Sequence, residues 1–243
     1  MIKAIFFDLD GTLLPLKDED FYSTYMKLLV NKLKDYGYEP NKMINNIKTL
    51  MAKLFSNDGS KTCKEVFYEL FYSEYGNKVN EDEALYNSFY KNEFKELKLV
   101  CKENPHAKDL IKSIKSKVNK VVLATNSLLP YEAIKTRLSF IDLKEEDFDY
   151  ISKYETLHHT KPNPNYFKEI LNELNLKEDE VIMFGNNAYE DAWCASNAGI
   201  KTYLVDLGYI IYPEHVKEKY EIIQFSDIEK IIDKEIELNK KRG

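Results

Sequence analysis

Short apolar runs recur along the chain at wide intervals. Residues 2–7, 120–124, 181–184 and 202–205 are each about strand length, and most are bounded by turn or polar residues. Their nearly continuous apolarity suits strands buried on both faces, as in a parallel sheet. Helical patterns follow them over 129–139, 165–174, 188–198 and 226–238. Strand alternating with helix predicts an α/β fold, a doubly wound parallel sheet forming a Rossmann-like core.

Residues 17–102 have a different texture. Met43, Ile44, Ile47, Leu50, Met51, Leu54 and Phe55 keep helical spacing, as do Val66, Phe67, Leu70 and Phe71, then Leu85, Tyr86, Phe89 and Tyr90. Gly37 with Pro40, the polar run 57–60, and Gly76-Asn77 punctuate these stretches as turns. The pattern predicts an all-helical cap of four helices, residues 17–102, inserted after the first strand. The core is then 1–16 and 103–243. The cap tyrosines read as helix-packing residues, some of them able to line a site. Residues 233–243 are mostly charged and are expected to fray from a terminal helix.

Apolar residues make up 44% of the 243 and charged residues 31%, a mix able to fill a sizeable core. The net charge of −6 argues against a nucleic-acid or anionic-membrane partner but leaves room for a small anionic substrate. Arginine is confined to Arg137 and Arg242, so an anion clamp is expected to use lysine, backbone amides or metal. No apolar run is long enough to span a bilayer, and the start lacks a signal-peptide pattern, so a cytoplasmic protein is expected, with a monomer as the default. Cys63, Cys101 and Cys194 are far apart and odd in number, which fits idle reduced thiols.

Chemistry concentrates at the strand ends. An apolar strand runs into Asp8-Leu9-Asp10-Gly11-Thr12, and alternation lets both carboxylates converge beyond the carboxyl end of the sheet. Two acids so close repel unless a cation or proton lies between them, and a hard dication such as Mg²⁺ resolves the conflict. The plain alternative is a solvated acidic turn. A second strand ends in Thr125-Asn126, where the hydroxyl and nearby amides can hold a phosphate oxygen or merely cap a turn. In Lys161-Pro162-Asn163-Pro164 the two prolines fix the backbone around Lys161, a candidate partner for phosphoryl charge or a surface lysine. Gly185-Asn186-Asn187 follows the 181–184 run, and Glu190 and Asp191 open a helix, either to complete a metal site or to complement the helix dipole. His158 and His159 read as exposed loop histidines.

These four segments, in this order and with a helical insert between the first two, resemble the haloacid dehalogenase-like superfamily in its phosphatase branch. The resemblance implies that Asp8 attacks phosphorus and forms an aspartyl-phosphate, with Asp10 as general acid and then base. It implies that Thr125, Asn126 and Lys161 bind the phosphate, and that Asp8, Asp10, Asn186 and Asp191 hold Mg²⁺. The substrate implied is a small phosphorylated metabolite. Asn186 departs from the usual Asp, which weakens the implied metal site or shifts its burden to Glu190 and Asp191. A phosphomutase, a haloacid dehalogenase, a phosphonatase using a cap lysine among Lys48, Lys53, Lys61 and Lys64, and a non-catalytic binding protein remain as alternatives. The presence of Asp10 disfavours the dehalogenase and the phosphonatase.

Overall fold

A computed structural model describes residues 1–240. Six strands, β1 (Ala4–Phe7), β2 (Lys120–Leu123), β3 (Tyr150–Ile151), β4 (Val181–Gly185), β5 (Lys201–Asp206) and β6 (Ile222–Gln224), form one sheet in the order β3-β2-β1-β4-β5-β6. Every pairing is parallel. This is the doubly wound arrangement anticipated, with the change of winding direction between β1 and β4.

Alternation along the strands divides the core. Ala4, Phe6, Val122 and Met183 face a layer that includes Tyr166, Phe167, Ile170, Cys194 and Ala195. Ile5, Phe7, Leu123 and Phe184 point the other way and join the larger apolar cluster. Phe7 and Phe184 stack at 5.4 Å across the β1–β4 pair. Each such ring removed from water stabilises the fold by about 1.5–3 kcal/mol.

Between β1 and β2 lie α1 (Asp18–Leu33), α2 (Pro40–Phe55), α3 (Cys63–Tyr75), α4 (Lys78–Glu81), α5 (Glu83–Lys91) and a 3₁₀ stretch, Glu93–Val100. Five helices stand where four were expected, because the one-turn α4 and α5 divide the segment after Gly76. Thr62 and Glu65 form a reciprocal cap that starts α3, with Thr62 N–H donating to Glu65 at 2.7 Å. Where this segment leaves and rejoins the sheet, Leu16 pairs with Cys101 and Lys102 N–H donates to Pro15 at 2.7 Å. The helical layer docks on the carboxyl side of the sheet through Cys63 N–H to the Leu157 carbonyl, 2.8 Å, and Lys64 N–H to the Tyr154 carbonyl, 2.9 Å.

The remaining helices are α6 (Ala107–Lys115), α7 (Tyr131–Ser139), α8 (Asn165–Leu174), α9 (Cys194–Asn197) and α10 (Ile228–Lys240). β3, β6 and α6 lie outside the sequence expectation. β3 has two residues, and the edge strand β6 buries only Ile223, so neither makes an apolar run. α6 does carry a readable buried face, Ala107, Leu110, Ile111 and Ile114. The helix expected over 188–198 opens as a π-helical turn, Ala188–Trp193, before α9. α10 stays helical to Lys240, so the expected fraying does not extend over 233–240, and 241–243 lie outside the described residues. No helix among the described residues is long and apolar enough to cross a membrane. All three cysteines are free.

Candidate active site

β1 carries Asp8 just beyond its last residue, where Asp8 N–H donates to the Phe184 carbonyl of β4 at 2.9 Å. The register sets Phe7 beside both Leu123 and Phe184. The segments after β1, β2 and β4 therefore end side by side, which brings Asp8, Thr125 and Asn186 together at the switch point. Gly11 turns the chain with φ +81°, and a Cβ there would lie 2.1 Å from the Asn186 amide nitrogen. Only glycine meets both demands.

Lys161 is the centre of the charge network. Its side chain is 1% exposed, and its Nζ donates to Asp8 Oδ1 at 2.7 Å and Asp191 Oδ1 at 2.5 Å. Asp191 Oδ2 accepts the N–H groups of Asn186 and Asn187, each at 3.0 Å. Gly185 allows this close approach, since a Cβ there would stand 2.4 Å from the Asp191 side chain. One buried ammonium thus faces two carboxylates, leaving an excess negative charge. Burial first, and then the Asp191 carboxylate, push the Asp8 carboxyl well above the usual range in spite of Lys161. Burial pulls Lys161 downward, but Asp191 and Asp8 outweigh it and hold its ammonium well above its ordinary value.

Arg137 is the residue that sequence reasoning missed. It projects from α7, is 3% exposed, and binds Asp10 Oδ2 through its guanidinium. Asp10 Oδ1 is enclosed and has no hydrogen-bond partner among the described residues. Burial raises the Asp10 carboxyl above its ordinary value, against the pull of Arg137. The expectation that an anion-binding site here must do without arginine is corrected only in part. Arg137 is in the site, but it is engaged with a carboxylate rather than free to clamp an anion.

Asn126, expected as a phosphate ligand, lines the cavity over Asp8 with its side-chain amide engaged in the protein. Its Oδ1 accepts Lys161 N–H at 3.1 Å, and its Nδ2 donates to the Lys161 carbonyl at 3.2 Å and Glu190 Oε2 at 2.9 Å. Its amide braces the lysine loop. Thr125 lines the cavity over Asp8, and its carbonyl accepts the hydroxyls of Ser152 and Tyr166, both at 2.6 Å. His158 and His159 lie in the loop expected, with the His158 side chain 39% exposed and that of His159 14%. Their Nδ1 atoms contact the two oxygens of Glu169 at 2.6 and 3.2 Å, and neither lines the cavity.

The donor set suits a hard dication. Asn186 Nδ2 donates to the Tyr209 carbonyl at 2.8 Å, which turns Oδ1 toward the Thr12 hydroxyl, 3.3 Å away. The same hydroxyl lies 3.4 Å from Asp8 Oδ2. A carboxylate oxygen and an amide oxygen thus share one neighbour, and the excess negative charge around Lys161 favours a cation beside Asp8. The set is poor in charge: among the described residues no three His, Cys, Asp or Glu side chains cluster as metal ligands. Both Asp191 oxygens are already engaged.

A model of the family described as haloacid dehalogenase-like hydrolase matches residues 5–205. The chain is 25% identical over 206 residues to the phosphorylated carbohydrates phosphatase of Thermotoga maritima, covering 82% of this chain and 83% of that one. It is 24% identical to the pyrophosphatase PpaX of Bacillus mycoides, covering 93% and 95%. A 2-haloacid dehalogenase from Pseudomonas syringae pv. tomato superposes with TM-score 0.61 at 17% identity, over 96% of this chain and 99% of that one, a likeness of fold alone.

Proposed function

The chain belongs to the haloacid dehalogenase-like hydrolases, and from that premise we propose that it is a Mg²⁺-dependent phosphatase of a small phosphorylated metabolite with Asp8 as nucleophile. The observation that carries this reading is the pairing of Asp8 with Lys161 at 2.7 Å, beside an Asp10 carboxyl that keeps one enclosed oxygen free. The net charge of −6 speaks for a small molecule over a nucleic acid or an anionic membrane as the partner.

In the first half-reaction an Asp8 oxygen forms a bond to phosphorus as the bond from phosphorus to the ester oxygen breaks. The leaving oxygen takes the proton held on Asp10. In the second half-reaction Asp10, now a carboxylate, accepts a proton from water, whose oxygen attacks phosphorus and releases Asp8 and inorganic phosphate. Lys161 and Thr125 hold the phosphoryl oxygens, and Asp191 keeps the lysine aimed. Arg137 holds the Asp10 carboxyl in place through one oxygen and leaves the other to carry the proton. The Asp8 carboxylate, the Asn186 amide oxygen and the Asp10 main-chain carbonyl, supported by Asp191, would hold Mg²⁺, which when bound would supply positive charge against the phosphoryl oxygens. The helical segment, residues 17–102, is read as a cap that excludes water from the transfer.

Hydrolysis of para-nitrophenyl phosphate, with and without Mg²⁺, tests the proposal. Mg²⁺-stimulated turnover that disappears in Asp8→Asn supports it. Failure to hydrolyse any phosphate ester favours the binding-protein alternative instead.

A further inference from the structure

A cavity of about 340 Å³ opens over Asp8 and Asp10 and runs away from the sheet into the middle of the helical layer. Its deep wall is built from Leu29 and Leu33 of α1, Ile47 and Leu50 of α2, and Phe71 of α3. Of the lining tyrosines, Tyr25, Tyr86 and Tyr90 have their hydroxyls engaged with other tyrosines. Tyr25 and Tyr90 pair at 3.0 Å, and Tyr86 donates to Tyr38 at 2.6 Å. Carboxylates dominate the cavity's charged lining. Asp18, Glu83, Glu155 and Glu190 line the cavity along with the Asp8, Asp10 and Asp191 carboxylates. Its lining cations are Lys64 and Arg137, and Arg137 is held by Asp10.

We infer that the ester brought to Asp8 carries one phosphate on an uncharged hydrophobic body, an aryl or medium-chain alkyl group that occupies the deep end of this cavity. The inference rests on the phosphatase reading and adds the substrate class. A sugar would set its hydroxyls against Leu, Ile and Phe side chains that offer them no hydrogen bond, leaving polar groups desolvated and unpaired. A second phosphate or a carboxylate would meet Asp18, Glu155 and Glu190, while the arginine lining the cavity, Arg137, is already paired with Asp10 and Lys64 is the one remaining lining cation among the described residues. Pyrophosphate and phosphorylated acids are therefore poor substrates. An alkyl chain, by contrast, exchanges water for apolar wall along its length.

The experiment measures kcat/KM with Mg²⁺ for a homologous series of n-alkyl phosphates, from ethyl to octyl. These share nearly the same leaving oxygen, so the chemistry is constant and the body alone changes. Inorganic pyrophosphate, a hexose phosphate and phosphocholine are measured alongside. The expected result is a rise of about three- to fourfold per added methylene until the cavity is full. The three polar comparators should fall at or below the ethyl ester. Leu50→Phe should flatten the rise at long chains, and Leu50→Ala should extend it by making room. A flat series, or a preference for pyrophosphate, the hexose phosphate or phosphocholine, overturns the inference while the phosphatase reading stands. Absence of turnover with every ester, para-nitrophenyl phosphate included, removes both.

Discussion

The guanidinium of Arg137 grips Asp10 through Oδ2 and leaves Oδ1 enclosed without a partner among the described residues. The two residues are 127 positions apart, one on α7 and one on the turn after β1. A carboxyl fixed by one oxygen and open at the other is suited to carry a proton toward a leaving group and back.

Breaking that pair exposes its role. Arg137→Leu leaves a buried carboxyl without its cation and is expected to cost about 3 kcal/mol of stability. Arg137 pulls the Asp10 carboxyl down, so its loss lets Asp10 keep its proton to higher pH. The alkaline limb of the kcat profile should move upward, and kcat at neutral pH should fall by about 10²-fold because base-assisted hydrolysis of the intermediate needs ionised Asp10. Arg137→Lys should restore part of both. A pH–rate profile with unchanged limbs in Arg137→Leu would show that the arginine serves packing alone.

Asn186→Asp separates metal binding from folding. The new carboxylate adds charge to the donor set, so Mg²⁺ should bind more tightly. It also removes the 2.8 Å bond to the Tyr209 carbonyl and sets an anion beside Asp8 and Asp191. Without metal the variant should lose about 1–3 kcal/mol, recovered when Mg²⁺ is added. Calorimetric titration with Mg²⁺ and thermal unfolding with and without it read the two effects, and an unchanged metal affinity would count against Asn186 as a ligand.

Gly185→Ala tests the support beneath Lys161. Its Cβ meets the Asp191 side chain at 2.4 Å, so Asp191 must move and Lys161 loses its second carboxylate. The expected cost is about 1–3 kcal/mol in stability, together with a fall in kcat larger than any change in KM. Full activity would mean that the Asp191 position is not required.

Stability should report the protonation of Asp8. Burial and Asp191 raise its folded-state value, so the folded protein holds a proton that the unfolded chain releases near pH 4. Stability is therefore lost as pH rises from there through the raised value. Asp8→Asn lacks this group, so without metal its melting temperature should gain on that of the unsubstituted protein as pH rises from acid to neutral. Mg²⁺ replaces the proton and should close the gap. A difference independent of pH would contradict the assigned direction.

Sequence reading reached the parts of this site whose signals are local. Asp8, Asp10 and Gly11 announce themselves through a strand that ends in acids and a turn, Lys161 through the prolines that follow it, and Asp191 through its place after a later strand. Arg137 had no such signal in its spacing from Asp10. Its trace is a cation that shares α7 with the apolar residues Ala133, Ile134 and Leu138, all buried with it. The bracing role of Asn126 depends on which of its atoms meets the lysine loop, and residue order does not encode that. The cavity was hidden for a related reason: Leu29, Ile47 and Leu50 keep the same helical period whether they fill a core or line a space. β3 and β6 escaped because two or three residues at a sheet edge make no periodic pattern.

The most direct test of the account is to quench the reaction in acid during turnover with an excess of a phosphate ester and Mg²⁺, then locate modified residues by peptide mass spectrometry. The account predicts one phosphoryl group on the peptide containing Asp8, present during turnover and absent in Asp8→Asn, which should also lose at least about 10³-fold in rate. Steady turnover in Asp8→Asn, or a phosphoryl group carried by another residue, would contradict it.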